Sequence, residues 1–389
     1  MNACIVGWAH TPFGRLEQED IESLIRRVTL EAIADAGLEP KDIDEIYLGH
    51  FGEGFVKERF LSSLPLQASD DLRFTPSTRV ENACATGSAA LHQGLNSIAA
   101  GRSKVVLVVG AEKMTEVRGP QVADILIGSA YLKEEGDVLA GFAGIFGSMA
   151  QTYFDRYGDQ SDALARIAAK NHRNGVENPY AQFRKDLGYE FCREVSDRNP
   201  MVAPPLKRSD CSAVSDGAAA VVLMDRDMAK TSAKKAIGFR AAEHVNDFKP
   251  MSKRDIIAFE GCAKAWQQAF ATSGLTLDDL SLVETHDCFT VAELLEYEAM
   301  GLTPKGQGAR AINEGWTEKG GKLPVNPSGG LKAKGHPIGA TGVSMHVLAS
   351  MQLTGTAGGI QVPNAELVGI FNMGGAAVTH YVSILERVR

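Results

Sequence analysis

The chain has 389 residues, a formal net charge of −8, and an ordinary globular balance of 44% hydrophobic and 23% charged residues. That length supports two or three domains around a large core, and an acidic chain without a basic run is not a dedicated nucleic-acid binder. Six scattered cysteines without a Cys-x-x-Cys pair, no apolar run of ~20 residues and no signal-peptide pattern point to free thiols, no membrane span and a cytoplasmic location.

In chain order, Ile5-Val6-Gly7-Trp8 reads as a first strand and Ile21 to Gly37 as an amphipathic helix closed by glycine. Thr78 to Asn82 reads as a strand leading into a helix over Ala85 to Ala100. Lys104 to Gly110 is a continuous apolar run, as in a parallel strand covered on both faces. A further strand is expected at Leu282-Val283-Glu284-Thr285, and a helix from about Ala340. The class is α/β.

The chain also nearly repeats itself. Ala36-Gly37-Leu38 resembles Ser273-Gly274-Leu275, Ala85-Thr86-Gly87 recurs as Ala340-Thr341-Gly342, and Asp216-Gly217-Ala218-Ala219 resembles Gly374-Gly375-Ala376-Ala377. The order of these matches implies two related halves, the first interrupted between Gly87 and Gly217. The expected division is residues 1–114 with 213–233, an inserted loop domain over 115–212 serving as a lid, and a second half over 234–389.

Cys84 falls at a strand-to-helix junction. Unpaired N–H groups and partial positive charge at a helix start stabilise a thiolate, and the same N–H groups can hold an oxyanion. The small neighbours Ala83, Ala85 and Gly87 leave room for a ligand. His336, in a glycine-rich turn before a helix, mirrors Cys84 in the second half; it is either a structural histidine or a base for the thiol.

Asn82-Ala83-Cys84-Ala85-Thr86-Gly87 resembles the nucleophile segment of thiolases, and Lys334-Gly335-His336-Pro337 resembles their Gly-His-Pro motif. His286-Asp287-Cys288-Phe289 resembles the motif of sterol-carrier-protein-type thiolases, and the similarity runs over essentially the whole chain. The resemblance implies the thiolase fold: two βαβαβαββ halves packed as αβαβα layers, plus the inserted loop domain. It implies an acyl-CoA C-acyltransferase that condenses or thiolytically cleaves 3-oxoacyl-CoA, as acetyl-CoA acetyltransferases do, with Cys84 as nucleophile and His336 as base. Most thiolases carry Cys-x-Gly near the carboxyl terminus, where this chain has Asn372-Met373-Gly374. The resemblance therefore moves the second catalytic thiol to Cys288. It makes His286 a holder of the thioester oxygen, and it pairs the N–H of Gly374 with that of Cys84 in an oxyanion hole.

By the same resemblance, Phe146-Gly147-Ser148 lines the pantetheine tunnel. His172 is a candidate for the coenzyme channel, and Lys170, Arg173, Arg184 and Lys185 are candidates for the coenzyme phosphates. Coenzyme A is expected as substrate and product, with no permanently bound cofactor and no metal. The expected assembly is a homodimer or homotetramer. Two alternatives stand beside this reading: a ketosynthase-like condensing enzyme, and an acyl-transfer subunit that works only in a complex, for instance with a small OB-fold partner.

Overall fold

The computed structural model describes residues 1–52 and 54–389. Strand β1 (Ala3–His10) leads to helix α1 (Ile21–Ala36), then to β2 (Glu45–Gly49), β3 (Ser77–Val80), α2 (Thr86–Ala99) and β4 (Val105–Lys113). The chain next leaves the sheet for α3 (Gly119–Ile127), α4 (Gly141–Tyr157) and α5 (Ser161–Gly175). It returns as β5 (Asp216–Asp225). The second half runs β6 (Ile237–Asn246), α6 (Glu260–Ser273), β7 (Leu282–Glu284), α7 (Thr290–Ala299), α8 (Ile338–Thr354), β8 (Leu367–Gly374) and β9 (Thr379–Arg387).

Local signals fix several of these boundaries. Asp20 caps α1: its carboxylate accepts from Ser23 N at 2.7 Å while Ser23 Oγ accepts from Asp20 N at 3.0 Å. Ile21, Leu24, Ile25, Val28, Ala32 and Ile33 then form one buried stripe. Gly37 closes the helix at a φ of 72°, where a side chain would be strained.

The nine strands lie in the order β3-β2-β4-β5-β1-β6-β9-β8-β7. β2 is parallel to β3 and β4, and β8 is parallel to β7. The remaining neighbours are antiparallel. A parallel bridge from Val283 to Val325 continues the β7 edge, where β3 stands in the first half. The two halves are thus the same motif read outward from the β1–β6 seam, which is joined only at Cys4–Gly238 and Ile5–Ile237.

The packing gives the layers. α1 covers one face of the first-half strands and α6 one face of the second-half strands. Between them α2 and α8 pack on each other, and α8 touches strands of both halves. That position explains why α8 is buried on nearly every side. Among the described residues, no helix is long and apolar enough to cross a membrane.

Candidate active site

The turn from β3 into α2 is built around Thr86. Its hydroxyl donates to Ala83 O at 2.6 Å and accepts from Asn82 N at 2.8 Å. Ala83 takes a φ of 50°, a left-handed value unusual for a residue with a side chain. Such strain places the next residue, Cys84, two positions ahead of the helix and 5% exposed.

The thiolate expected from the helix start is not the resting form. Burial pushes the Cys84 thiol up to about 12, opposed by the Gly375 N–H and reinforced by the charges of Glu81 and Glu112. Loss of hydration outweighs the partial charge of the helix terminus. Two backbone N–H groups reach this sulfur, that of Gly375, one residue past Gly374, and that of Cys84 itself. Gly374 instead packs where a Cβ would strike Thr379 and the backbone of Asn82.

His336 is held from both sides. Its backbone N–H donates to Ser215 Oγ at 3.0 Å, and its Nδ1 lies 2.7 Å from Thr341 Oγ1. The Thr341 hydroxyl spends its one hydrogen on Pro337 O at 3.0 Å, so its oxygen accepts from Nδ1–H. Nε2 then carries the lone pair, and it is buried without a partner. Burial, with Lys334 nearby, lowers this imidazole to about 3, so it is a neutral base facing a neutral thiol. Alkylation of Cys84 by iodoacetamide in the free protein should therefore climb with pH across pH 6–9, by up to about tenfold per unit. Peptide mass spectrometry at Cys84 reads this; a flat rate would indicate a preformed thiolate–imidazolium pair.

His286 and Cys288 follow β7, at the end of the strand where active sites gather in open α/β sheets. Between them Asp287 points the other way. Its carboxylate accepts from Leu331 N at 2.6 Å, Lys332 N at 3.2 Å and Asn171 Nδ2 at 2.7 Å, so it ties this loop to the turn that carries His336. Gly330, at a φ of 58°, leaves space that a Cβ would take from that carboxylate. Burial raises the Cys288 thiol well above its ordinary value, with the charges of Cys84, Glu296 and Asp287 adding to the rise. The His286 and His336 rings meet edge-on, centroids 5.1 Å apart. Asn372 Nδ2 reaches His286 Nδ1 at 2.8 Å and Cys84 O at 3.2 Å.

Cys84, Cys288 and His336 line a cavity of about 240 Å³ whose remaining wall is chiefly apolar, including Met114, Val122, Leu126 and Phe142. A second groove of about 650 Å³ shares Val202, Cys211, Ser212, Ala213 and Val214 with it and runs to the surface past His172, Lys185, Arg198 and Arg208.

The other sequence candidates divide. His172 is at the groove, its Nδ1 buried and unpartnered. Phe146 lies behind the cavity wall, stacked on Phe289 at 4.4 Å, and Phe142 and Ala143 line the cavity in its place. Gly147 packs against the Ala203–Pro204 backbone, and Ser148 turns its hydroxyl to Gly144 O at 2.9 Å. Lys170 is fully buried and paired with Glu293 at 2.5 Å, so it cannot meet a phosphate. Arg173 pairs with Glu318, and Arg184 donates to Val176 O at 3.1 Å. Of the four basic candidates only Lys185 faces the groove. Arg198, Arg208, Thr341 and Asn372 were not selected from the sequence, although the repeated Ala-Thr-Gly and the altered Cys-x-Gly marked the last two.

The ligand atoms of Cys84, His286 and His336 all lie within 4.8 Å of one another, a spacing that a soft metal also accepts. The description "Thiolase, N-terminal domain" matches residues 3–227, and "Thiolase C-terminal domain-like" matches residues 242–387. The chain belongs to the thiolase family. This thiolase is 38% identical to the acetyl-CoA acetyltransferase of Methanothermobacter thermautotrophicus, over 99% of its own length and 100% of the relative's. It is 34% identical to sterol carrier protein 2 of Oryctolagus cuniculus, over 96% of its own length and 70% of the relative's. Among solved structures, that titled "Ltp2-ChsH2(DUF35) aldolase" superposes with a TM-score of 0.85 at 24% identity, covering 100% of this chain and 98% of the other. The thiolase is accordingly an acyltransferase for which coenzyme A is a substrate.

Proposed function

We propose that this thiolase interconverts a 3-oxoacyl-CoA and free coenzyme A with a shortened acyl-CoA and acetyl-CoA, through an acyl group carried on Cys84. In cleavage, His336 Nε2 takes the thiol proton as Sγ adds to the 3-oxo carbon. The C2–C3 bond then breaks and its electrons pass to the acetyl-CoA enolate. His286 holds the enolate oxygen, and the Cys288 thiol gives C2 its proton. Free coenzyme A, its thiol proton taken by the Cys288 thiolate, finally accepts the acyl group from Cys84, and the proton held on His336 Nε2 returns to the Cys84 sulfur. Condensation is the reverse. The observation that carries this reading is the convergence of Cys84, Cys288 and a partnerless imidazole nitrogen on one apolar cavity.

The groove past His172 is the path proposed for pantetheine, with Lys185, Arg198 and Arg208 meeting the coenzyme phosphates at its mouth. Helices α3 and α4, within the inserted 115–212 segment, then act as the lid over the acyl group. A homo-oligomer and a cytoplasmic setting accompany the proposal. The test is to follow cleavage of acetoacetyl-CoA and of a longer 3-oxoacyl-CoA by free coenzyme A. Arg198→Ala with Arg208→Ala should raise the KM for coenzyme A about tenfold or more with kcat little changed; an unchanged KM places the phosphates elsewhere. A second reading, dependence on a small partner, rests on the resemblance to the structure titled with a DUF35 component. An inactive purified chain that gains activity when such a partner is added would favour it.

A further inference from the structure

The geometry points to Asn372 as the positioning residue that fixes the tautomer of His286, so that His286 Nε2–H is a hydrogen-bond donor beside Cys84 and His336. This rests on the reading above, in which His286 holds the enolate oxygen. Asn372 is fully buried near the end of β8, and all three of its side-chain bonds are within the protein.

The orientation of its amide is decided by its neighbours. Cys84 O lies 3.2 Å from one amide atom and can only accept, so that atom is Nδ2. Ser88 Oγ, 2.8 Å from the other, then donates to Oδ1. Nδ2 has one hydrogen left, and His286 Nδ1 is 2.8 Å away. Nδ1 therefore accepts, and a neutral ring must carry its proton on Nε2. The ring is neutral: burial, His336 and Lys334 all lower it well below its ordinary value. Nε2 is itself buried without a partner.

The two histidines that meet edge-on are consequently opposite tautomers. Thr341 accepts from His336 Nδ1 and leaves Nε2 a base; Asn372 donates to His286 Nδ1 and makes Nε2 a donor. A proton acceptor and a proton-bearing donor of the same side-chain type thus stand together beside Cys84. The asparagine in the altered Cys-x-Gly position is more than a lost thiol. It serves the histidine that works beside the relocated thiol at Cys288.

Asn372→Asp tests this with almost no change in shape. An ionised carboxylate must accept from Nδ1–H, which moves the ring proton off Nε2. Thiolysis should fall about 10²–10³-fold, the effect of removing one oxyanion donor. Acylation of Cys84 by acyl-CoA, read by intact-protein mass, should fall much less, because it does not use the enolate site. The variant's activity relative to wild type should rise as pH falls, since a protonated carboxyl can again donate to Nδ1. Equal losses in both half-reactions, or a ratio indifferent to pH, would reduce Asn372 to a structural tie for the Cys84 loop. Should the variant not fold, 15N spectra of histidine-labelled wild type, assigned with His286→Gln, decide alone. A protonated Nε2 supports the inference and a protonated Nδ1 overturns it. A protonated Nε2 together with full thiolysis in His286→Gln would instead overturn the role given to His286.

Discussion

Cys84→Ala is expected to abolish turnover, with thiolysis of any 3-oxoacyl-CoA falling by at least about 10⁴-fold. In the proposed mechanism carbon–carbon cleavage proceeds by covalent transfer: His336 Nε2 is the base of Cys84, Cys288 is assigned to C2, and Cys211, which also lines the cavity, has its thiol hydrogen-bonded to Lys207 O. Alanine keeps the Cβ and the small volume that the turn demands, so stability should change by no more than ~1 kcal/mol. Intact-protein mass after incubation with acetyl-CoA should show the acetyl adduct on wild type and none on the variant. Activity within tenfold of wild type, with normal thermal unfolding, would remove Cys84 from the mechanism.

Cys288→Ala should produce a different defect of nearly comparable size. Removing a general acid–base group costs about 10²–10⁴ in rate, and that loss should appear in cleavage, in condensation and in exchange of the acetyl-CoA α-protons with deuterated solvent. Acylation of Cys84 should persist, because His336 is its base and that pair is untouched. The expected signature is an enzyme that still accepts the acetyl group and no longer makes or breaks the C2–C3 bond. Full thiolysis in Cys288→Ala would mean that the chemistry of the missing carboxyl-terminal cysteine had not moved to this position.

Much of this site was legible in the sequence because it sits in local motifs. A strand, a short turn and a glycine-containing helix are encoded within a few residues, so the setting of Cys84 could be read from Asn82 to Gly87, and that of His336 from its mirrored segment. The α2 helix, expected over Ala85 to Ala100, spans Thr86–Ala99, and the helix after His336 begins at Ile338. The lining of the cavity was less legible. Phe142 and Ala143 face it while Phe146 turns behind Phe289, because that choice depends on how α4 is rotated against α3 and the sheet. Lys170 reads as a surface cation in the chain, and only the fold places Glu293 of α7 at 2.5 Å from it. Arg198 and Arg208 had no periodic context in a segment broken by Asn199-Pro200 and Pro204-Pro205, so nothing local set them apart.

By itself the sequence determined the class, the doubled architecture and the candidates for the reacting groups, since each depends on short-range pattern or on which side chains exist at all. The repeated Ala-Thr-Gly shows how far that reaches. Thr86 closes the turn that holds Cys84, and Thr341 closes the turn that follows His336, one motif bracing both residues. Protonation states were decided only by the tertiary structure. Burial makes Cys84 a thiol and His336 a neutral base, against the thiolate suggested by the helix start, because desolvation depends on everything packed around a group and not on its neighbours in the chain. The tautomer of His286 is likewise set across 86 residues of sequence by an amide that no local pattern places beside it.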